Sequence, residues 1–245
     1  MNIQKPPVGV GLRKDGHWSV DGLTSAFVFN EAGTRFINHV DKVSCGITVR
    51  GAGTIQSTPD GILGNGVDVN TSCIKLSGNY VNGAGTMFAV VLFNDPTITD
   101  GCVFGSSTTN RRYLMLSSSK TFRAQIGNIQ IYDGVTRFNN TAYPIAVTWN
   151  SDCSSCNMYV MGKKNAATAT ATANMSTPTS FNIGSYSEGA GNGFQGLIYC
   201  AYTYNRTLSP QEVKSLSENP YQMFATQGIQ PYLQRNPISM TRRGK

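Results

Sequence analysis

"FQGLIYCAYTYNRTLSPQEVKSLSENPYQMF", residues 194–224, holds the two signals that decide the fold. Its first twelve residues are apolar and aromatic enough for a long, deeply buried strand. The rest opens on a helix start. Ser209 stands at an N-cap, Pro210 at the first helical position, and Glu212 three residues after the cap can reach back to the cap's own N–H. Leu208 before the cap can staple onto Val213, Val213 and Leu216 recur at helical spacing, and Pro220 stops the run. Two and a half turns with one apolar stripe are not stable alone, so this helix must lean on a larger body.

Upstream, that body is written in strands. Period-two or continuous apolar runs occur at 23–30, 46–51, 66–78, 86–94, 111–118, 121–128, 129–134, 143–150, 157–164, 180–186 and 194–205, with Gly, Asn and Ser between them. "TMFAVVLFN" at 86–94 is nearly all apolar, as expected of a central strand buried on both faces. "ATATATA" at 167–173 alternates Ala and Thr and reads as an outer strand. About a dozen strands and one late helix predict an all-β, two-sheet antiparallel jelly-roll sandwich. Residues 1–19 and 225–245 read as arms around a domain at 20–224.

Composition agrees with a turn-rich β protein: 40% apolar, 13% charged and 26 Gly in 245 residues. No run approaches a membrane span, and the N-terminus lacks the apolar core of a secretory signal, so no membrane partner is expected. The net charge of +7 is concentrated at one end, because Arg235, Arg242, Arg243 and Lys245 lie in an acid-free tail. The remainder is near +3, with no basic run interleaved with aromatics. The sequence therefore favours a protein-docking tail over nucleic-acid binding.

The order of motifs resembles the laminin G-like, concanavalin A-like jelly-roll family over residues 20–224. Those motifs are "GLTSAFVFNEAG", "GTMFAVVLFN", "YPIAVTWN", "NMYVMGKK", "FNIGSY", and above all the Tyr-Asn-Arg turn followed by Leu-Ser-Pro-Gln-Glu-Val and the short helix. The opening "KPPVG" and the "NPYQMF" close are similar to single-domain versions from tailed bacteriophages and prophages. That resemblance implies a virion structural protein made in the host cytoplasm, a head decoration or a neck or tail accessory. Its partners would be capsid, neck or tail subunits, and it would assemble as a homo-oligomer such as a trimer. The alternative it implies is a receptor- or glycan-binding adhesin. In either case the helix would pack against the edge or end of the sandwich and close it through Val213, Leu216 and Phe224.

Candidate chemistry is sparse. Glycan-cleaving relatives need two carboxylates paired across a site, but the four glutamates, Glu31, Glu188, Glu212 and Glu218, stand apart, so no enzyme is expected. His17 and His39 have no nucleophile elbow to serve and read as surface or turn residues. Tyr186, Glu188 and Asn192, in a glycine-rich loop, could contact a sugar. Asn94, Asp95 and Asp100 offer clustered oxygens for calcium, or serve as turn formers; no other cofactor is expected. Cys45, Cys73, Cys102, Cys153, Cys156 and Cys200 leave three readings: buried small hydrophobes, a zinc or redox pair at Cys153-Ser-Ser-Cys156, or disulfides formed outside the cell.

Overall fold

The computed structural model describes residues 5–7, 9–30, 35–48, 54–58, 61–65, 73–76, 83–93, 100–106, 112–138, 140–165, 181–186 and 192–225. Its strands are β1 (Leu23–Phe27), β2 (Arg35–Ile37), β3 (Ser44–Thr48), β4 (Thr54–Thr58), β5 (Gly61–Asn65), β6 (Cys73–Leu76), β7 (Gly85–Phe93) and β8 (Gly101–Ser106). They continue as β9 (Arg112–Leu116), β10 (Phe122–Ile126), β11 (Ile129–Tyr132), β12 (Ala142–Trp149), β13 (Cys156–Val160), β14 (Lys163–Lys164), β15 (Phe181–Ile183) and β16 (Gln195–Tyr204), before the helix α1 (Pro210–Glu218). The expected strands at 66–70 and 167–173 lie outside the described residues, as does the tail with Arg235, Arg242, Arg243 and Lys245.

Two sheets form the sandwich. The first runs β14-β13-β12-β7-β16-β5-β4, and the second β11-β10-β9-β8-β15-β6-β3-β2. All named strand pairs are antiparallel. β16 is long enough to serve two neighbours along one edge: Gln195–Ile198 pair with β5, and Ala201–Tyr204 pair with β1. The segment 157–164, expected as one strand, is instead the hairpin β13–β14. Met161 and Gly162, both at positive φ (52° and 74°), make its two-residue turn. Met-Gly is a poor signal for such a turn, which is why the sequence hides it.

β7 is buried on both faces, as its composition requires. Met87, Ala89, Val91 and Phe93 face the second sheet, where they join its Leu114 and Phe122, together with Ile145 and Trp149 of the neighbouring β12, in the main core. Phe88 and Val90 point the other way into a second apolar layer with Tyr202, Tyr204, Val213 and Leu216. This outer layer is roofed by the two ends of the domain. Val10 and Leu12 come from the start of the chain, α1 lies against β12 and β14, and Met223 and Phe224 follow the helix. The ends are stitched to each other: Arg13 N donates to Met223 O (2.9 Å) and Ala225 N to Gly11 O (3.0 Å). The helix therefore covers an outer sheet face rather than the edge or end of the sandwich, with Val213, Leu216 and Phe224 all buried as the resemblance implies. Among the described residues, no helix is long and apolar enough to cross a membrane.

One side chain locks this roof. Arg206, in the turn after β16, donates to Trp18 O and Asp21 O (both 2.9 Å) and clasps Glu212 through both terminal nitrogens (3.1 and 2.8 Å). Glu212 also accepts from Ser209 N (2.7 Å), completing the capping box with Glu212 N on the Ser209 hydroxyl (3.2 Å). Burial pushes the Glu212 carboxyl up, but its hydrogen bonds with Arg206 and Ser209 outweigh this and hold it below its usual value of 4.5. A group whose folded-state value is depressed contributes stability above its unfolded value and loses it on acidification. Glu212→Gln is thus expected to cost about 1–2 kcal/mol at neutral pH. In chemical denaturation the gap to the parent should close as pH falls from 4.5 through the depressed value.

Candidate ligand-binding face

Strand alternation assigns the faces of the second sheet. Leu114, Leu116, Phe122, Ala124, Ile126, Ile129 and Ile131 enter the main core, so their alternates point outward. Register sets these alternates in two rows across β9, β10 and β11. One row is Met115, Arg123 and Tyr132, and the other is Tyr113, Gln125 and Gln130.

The rows interlock. The Arg123 guanidinium carbon lies 5.3 Å from the Tyr113 ring centre and 5.2 Å from that of Tyr132, a cation held between two aromatic faces. Arg123 Nη2 and the Tyr132 hydroxyl both donate to Gln130 Oε1 (3.0 and 2.8 Å). Gln130 Nε2 in turn donates to Gln125 Oε1 (3.4 Å), and Gln125 Nε2 donates to Gly127 O (2.7 Å). Tyr132 is 44% exposed and Gln130 is also exposed, whereas Tyr113 is buried at the base. Burial pushes the Tyr113 phenol well up, so it stays neutral. The result is a positively charged plate with one ring, one guanidinium and amide edges turned to solvent, suited to stacking and hydrogen bonding rather than to proton transfer.

Two of the three loop residues expected to contact a sugar arrive beside this plate. Tyr186 meets Tyr113 edge-on at 5.8 Å and closes a small cluster with Cys102 and Met115. Asn192, at φ 58°, accepts from Cys102 N through its carbonyl (2.8 Å). Gly105 permits the approach: a Cβ there would stand 2.4 Å from Tyr186 O and 2.5 Å from Ser185 O. Glu188 lies outside the described residues. The plate itself escaped the sequence reading, although "FRAQI" and "IQIY" alternate cleanly; alternation shows two faces without showing which one stays open.

Of the calcium residues, Asn94 and Asp95 lie outside the described residues. Asp100 accepts from Ser118 N (2.9 Å), which ties the start of β8 to the turn after β9. Among the described residues, no group of three His, Cys, Asp or Glu side chains could hold a metal ion. His39 sits in the turn after β2, as one of its two readings has it, but not at the surface: it is buried edge-on against Phe224, ring centres 5.0 Å apart. His17 does sit at a turn, where Nδ1 accepts from Ser19 N (3.3 Å).

The disulfide reading is corrected too, since all six cysteines are buried free thiols. They are dispersed: Cys102 lies on the outer face of the second sheet, Cys200 under the helix roof, and Cys45 in the main core. Cys153 and Cys156 do adjoin, with Cys156 Sγ donating to Cys153 O (3.7 Å). Burial raises the Cys156 thiol to about 12 and the Cys200 thiol to about 11, which suppresses the thiolate that disulfide formation requires.

Residues 65–214 match the family described as the concanavalin A-like lectin/glucanase superfamily. No curated protein matches the chain in sequence. Among solved structures, Trypanosoma rangeli sialidase in complex with sialic acid is similar at 17% identity with a TM-score of 0.63, over 80% of this chain and 32% of the sialidase. This chain thus spans about a third of that enzyme's length. Domain 4 of AbnA, an extracellular arabinanase from Geobacillus stearothermophilus in complex with arabinotriose, is similar at 16% identity with a TM-score of 0.57, over 80% of this chain and 98% of that domain. A structure of botulinum neurotoxin type C, whose cell entry depends on two ganglioside molecules, is similar at 12% identity with a TM-score of 0.58, over 80% of this chain and 51% of the toxin chain. At these identities the likeness is one of fold. The two-sheet sandwich, its closing helix and the match over most of the sequence make this chain a member of the concanavalin A-like lectin/glucanase superfamily.

Proposed function

We propose that this chain is a non-catalytic structural protein of a bacteriophage particle, a head decoration or a neck or tail accessory that bridges neighbouring virion subunits as a homo-oligomer. The observation that carries this reading is the division of labour between the two outer faces. The first sheet's outer face is consumed in holding the ends of the domain, while the second carries an open plate of Tyr132, Arg123 and Gln130 for something outside the chain. Among the described residues, none of the strands contains an Asp or Glu, so no carboxylate pair spans either sheet. That arrangement supports binding over hydrolysis. The virion setting rests on the sequence resemblance of the opening and closing motifs to phage proteins. Gold-labelled antibody against this chain should mark intact particles over the head or neck. Purified virions that lack the chain by mass spectrometry would overturn the reading.

A second reading, a glycan-binding adhesin, is favoured by the chemistry of the plate. An aromatic ring beside fixed amide and guanidinium donors suits a saccharide, which offers C–H faces and hydroxyls together. The similar structures named with sialic acid, arabinotriose and gangliosides are consistent with it. On this reading the purified chain binds host-surface polysaccharide, and Tyr132→Ala weakens that binding about tenfold, roughly 1.4 kcal/mol. Titration calorimetry checks both, and no heat from the parent chain would reject the adhesin.

A further inference from the structure

Where the edges of the two sheets meet, a second site is built that the plate does not use. A cleft of about 310 Å³ lies between the segment after β11 and the β13–β14 hairpin, lined by Asp133, Val135, Arg137, Val160, Lys163, Lys164 and Asn165. Its walls are fixed. On one side, Asp133 accepts from Phe122 N (2.9 Å) and Arg137 N donates to Lys120 O (2.9 Å). On the other, Gly162 at the hairpin tip packs so closely on α1 that a Cβ would lie 3.2 Å from Lys214 Cα. Asn165 joins the sides, its Nδ2 donating to Tyr132 O (3.1 Å).

Charge is unbalanced within these walls. Arg137 and Asp133 neutralise each other, which leaves Lys163 and Lys164 as the net charge around the cleft; the register sets Lys163 beside Val160, on the cleft's side of the strand, and Lys164 at its rim, beside Tyr159. Lysines on an edge strand also serve to discourage sheet-to-sheet aggregation. That role needs no cleft behind them, no amide at its floor and no half-exposed Val135 (51%) in its wall. The volume is at the lower end of that of small-molecule sites, enough for one or two sugar rings. Two cations, an amide and apolar flanks suit a ring bearing a negative substituent.

We infer that this cleft binds an acidic saccharide unit, with Lys163 pairing its carboxylate or sulfate, Lys164 adding positive charge at the rim, Asn165 taking a hydroxyl, and Val135 packing on the ring. The inference does not depend on the virion reading or on the plate. The test is affinity electrophoresis and calorimetry of the full chain with polygalacturonate, dextran sulfate and neutral dextran. The acidic polymers should bind in a salt-sensitive way and neutral dextran should not. A response to polygalacturonate alone assigns a uronate, to dextran sulfate alone a sulfate ester, and to both a site that selects charge. K163Q/K164Q should weaken binding at least tenfold without changing the melting temperature, since both side chains are exposed. Tyr132→Ala should leave this binding in place, which separates the cleft from the plate. Three results would overturn the inference: no binding of either acidic polymer, equal binding by K163Q/K164Q, or an equal loss from the charge-matched control K14Q/K42Q, which would make net charge the cause.

Discussion

Gly196→Ala is expected to cost about 4 kcal/mol or more, among the largest effects of any single methyl group in this fold. Gly196 lies in β16 at φ +142°, where L side chains rarely go, and a Cβ built there would stand 2.1 Å from Leu92 O and 2.7 Å from Phe93 Cα. Both contacts are backbone atoms of β7, the strand buried on both sides, so no side chain can turn away to make room. Relief would require β16 to move off β7 at the point where it also pairs with Gly64 of β5. In a chain of this size each kcal/mol moves the melting temperature by about 2–4 °C, so a drop of roughly 8–16 °C is expected by circular dichroism. Gly134→Ala is the comparison. Its φ is +66°, but nothing lies within 4 Å of the added carbon, and only the backbone strain of about 1–2 kcal/mol applies. Equal melting temperatures for the two variants would mean that β16 yields at Gly196.

The contrast between these glycines shows what the sequence could and could not say. Local chemistry was legible: Ser209, Pro210 and Glu212 spelled the helix start, and the unbroken apolar run of β7 announced burial on both faces. The opening residues looked patternless because Val10 and Leu12 belong to no sheet of their own; they are apolar only because the outer face of the first sheet needs a roof. β8, β4 and β5 went unread since each is short and bounded or interrupted by glycine, and such strands are defined by their partners rather than by propensity. Of the candidate residues, Tyr186 and Asn192 were singled out by their loop composition. Arg123 and Tyr132 were not, because only the folded packing decides that the second sheet's outer face remains open while the first sheet's does not. The cysteines followed the same logic: six thiols in one sequence leave cross-links open among other readings, whereas the fold buries all six and places Cys45, Cys102 and Cys200 in three different apolar layers, with only Cys153 and Cys156 seen to adjoin.

Asp133→Ala is expected to cost about 3–5 kcal/mol, the loss that follows when one partner of a buried ion pair is removed. The Asp133 side chain is 2% exposed and that of Arg137 16%. Its carboxylate accepts from Phe122 N (2.9 Å), Val135 N (3.3 Å) and Arg137 Nε (2.8 Å), with Arg137 Nη2 as a further donor. Removing it leaves a guanidinium held over the Phe122 and Tyr143 rings, each centre 5.8 Å away, with aromatic faces but no anion to answer its charge. The surface pair Arg13–Asp15 offers the control, because its side chains are 31% and 54% exposed and Asp15→Ala should leave the melting temperature essentially unchanged. A double variant, Asp133→Ala with Arg137→Met, should recover a large part of the Asp133→Ala loss, since an apolar chain fits the aromatic slot without an unanswered charge. If Asp133→Ala melts within a degree or two of the parent, the pair does not hold the segment after β11, and the cleft it borders has no fixed wall on that side. If the double variant recovers stability yet still binds acidic polymers, the cleft depends on its lysines and needs Asp133 and Arg137 only to hold its wall in place.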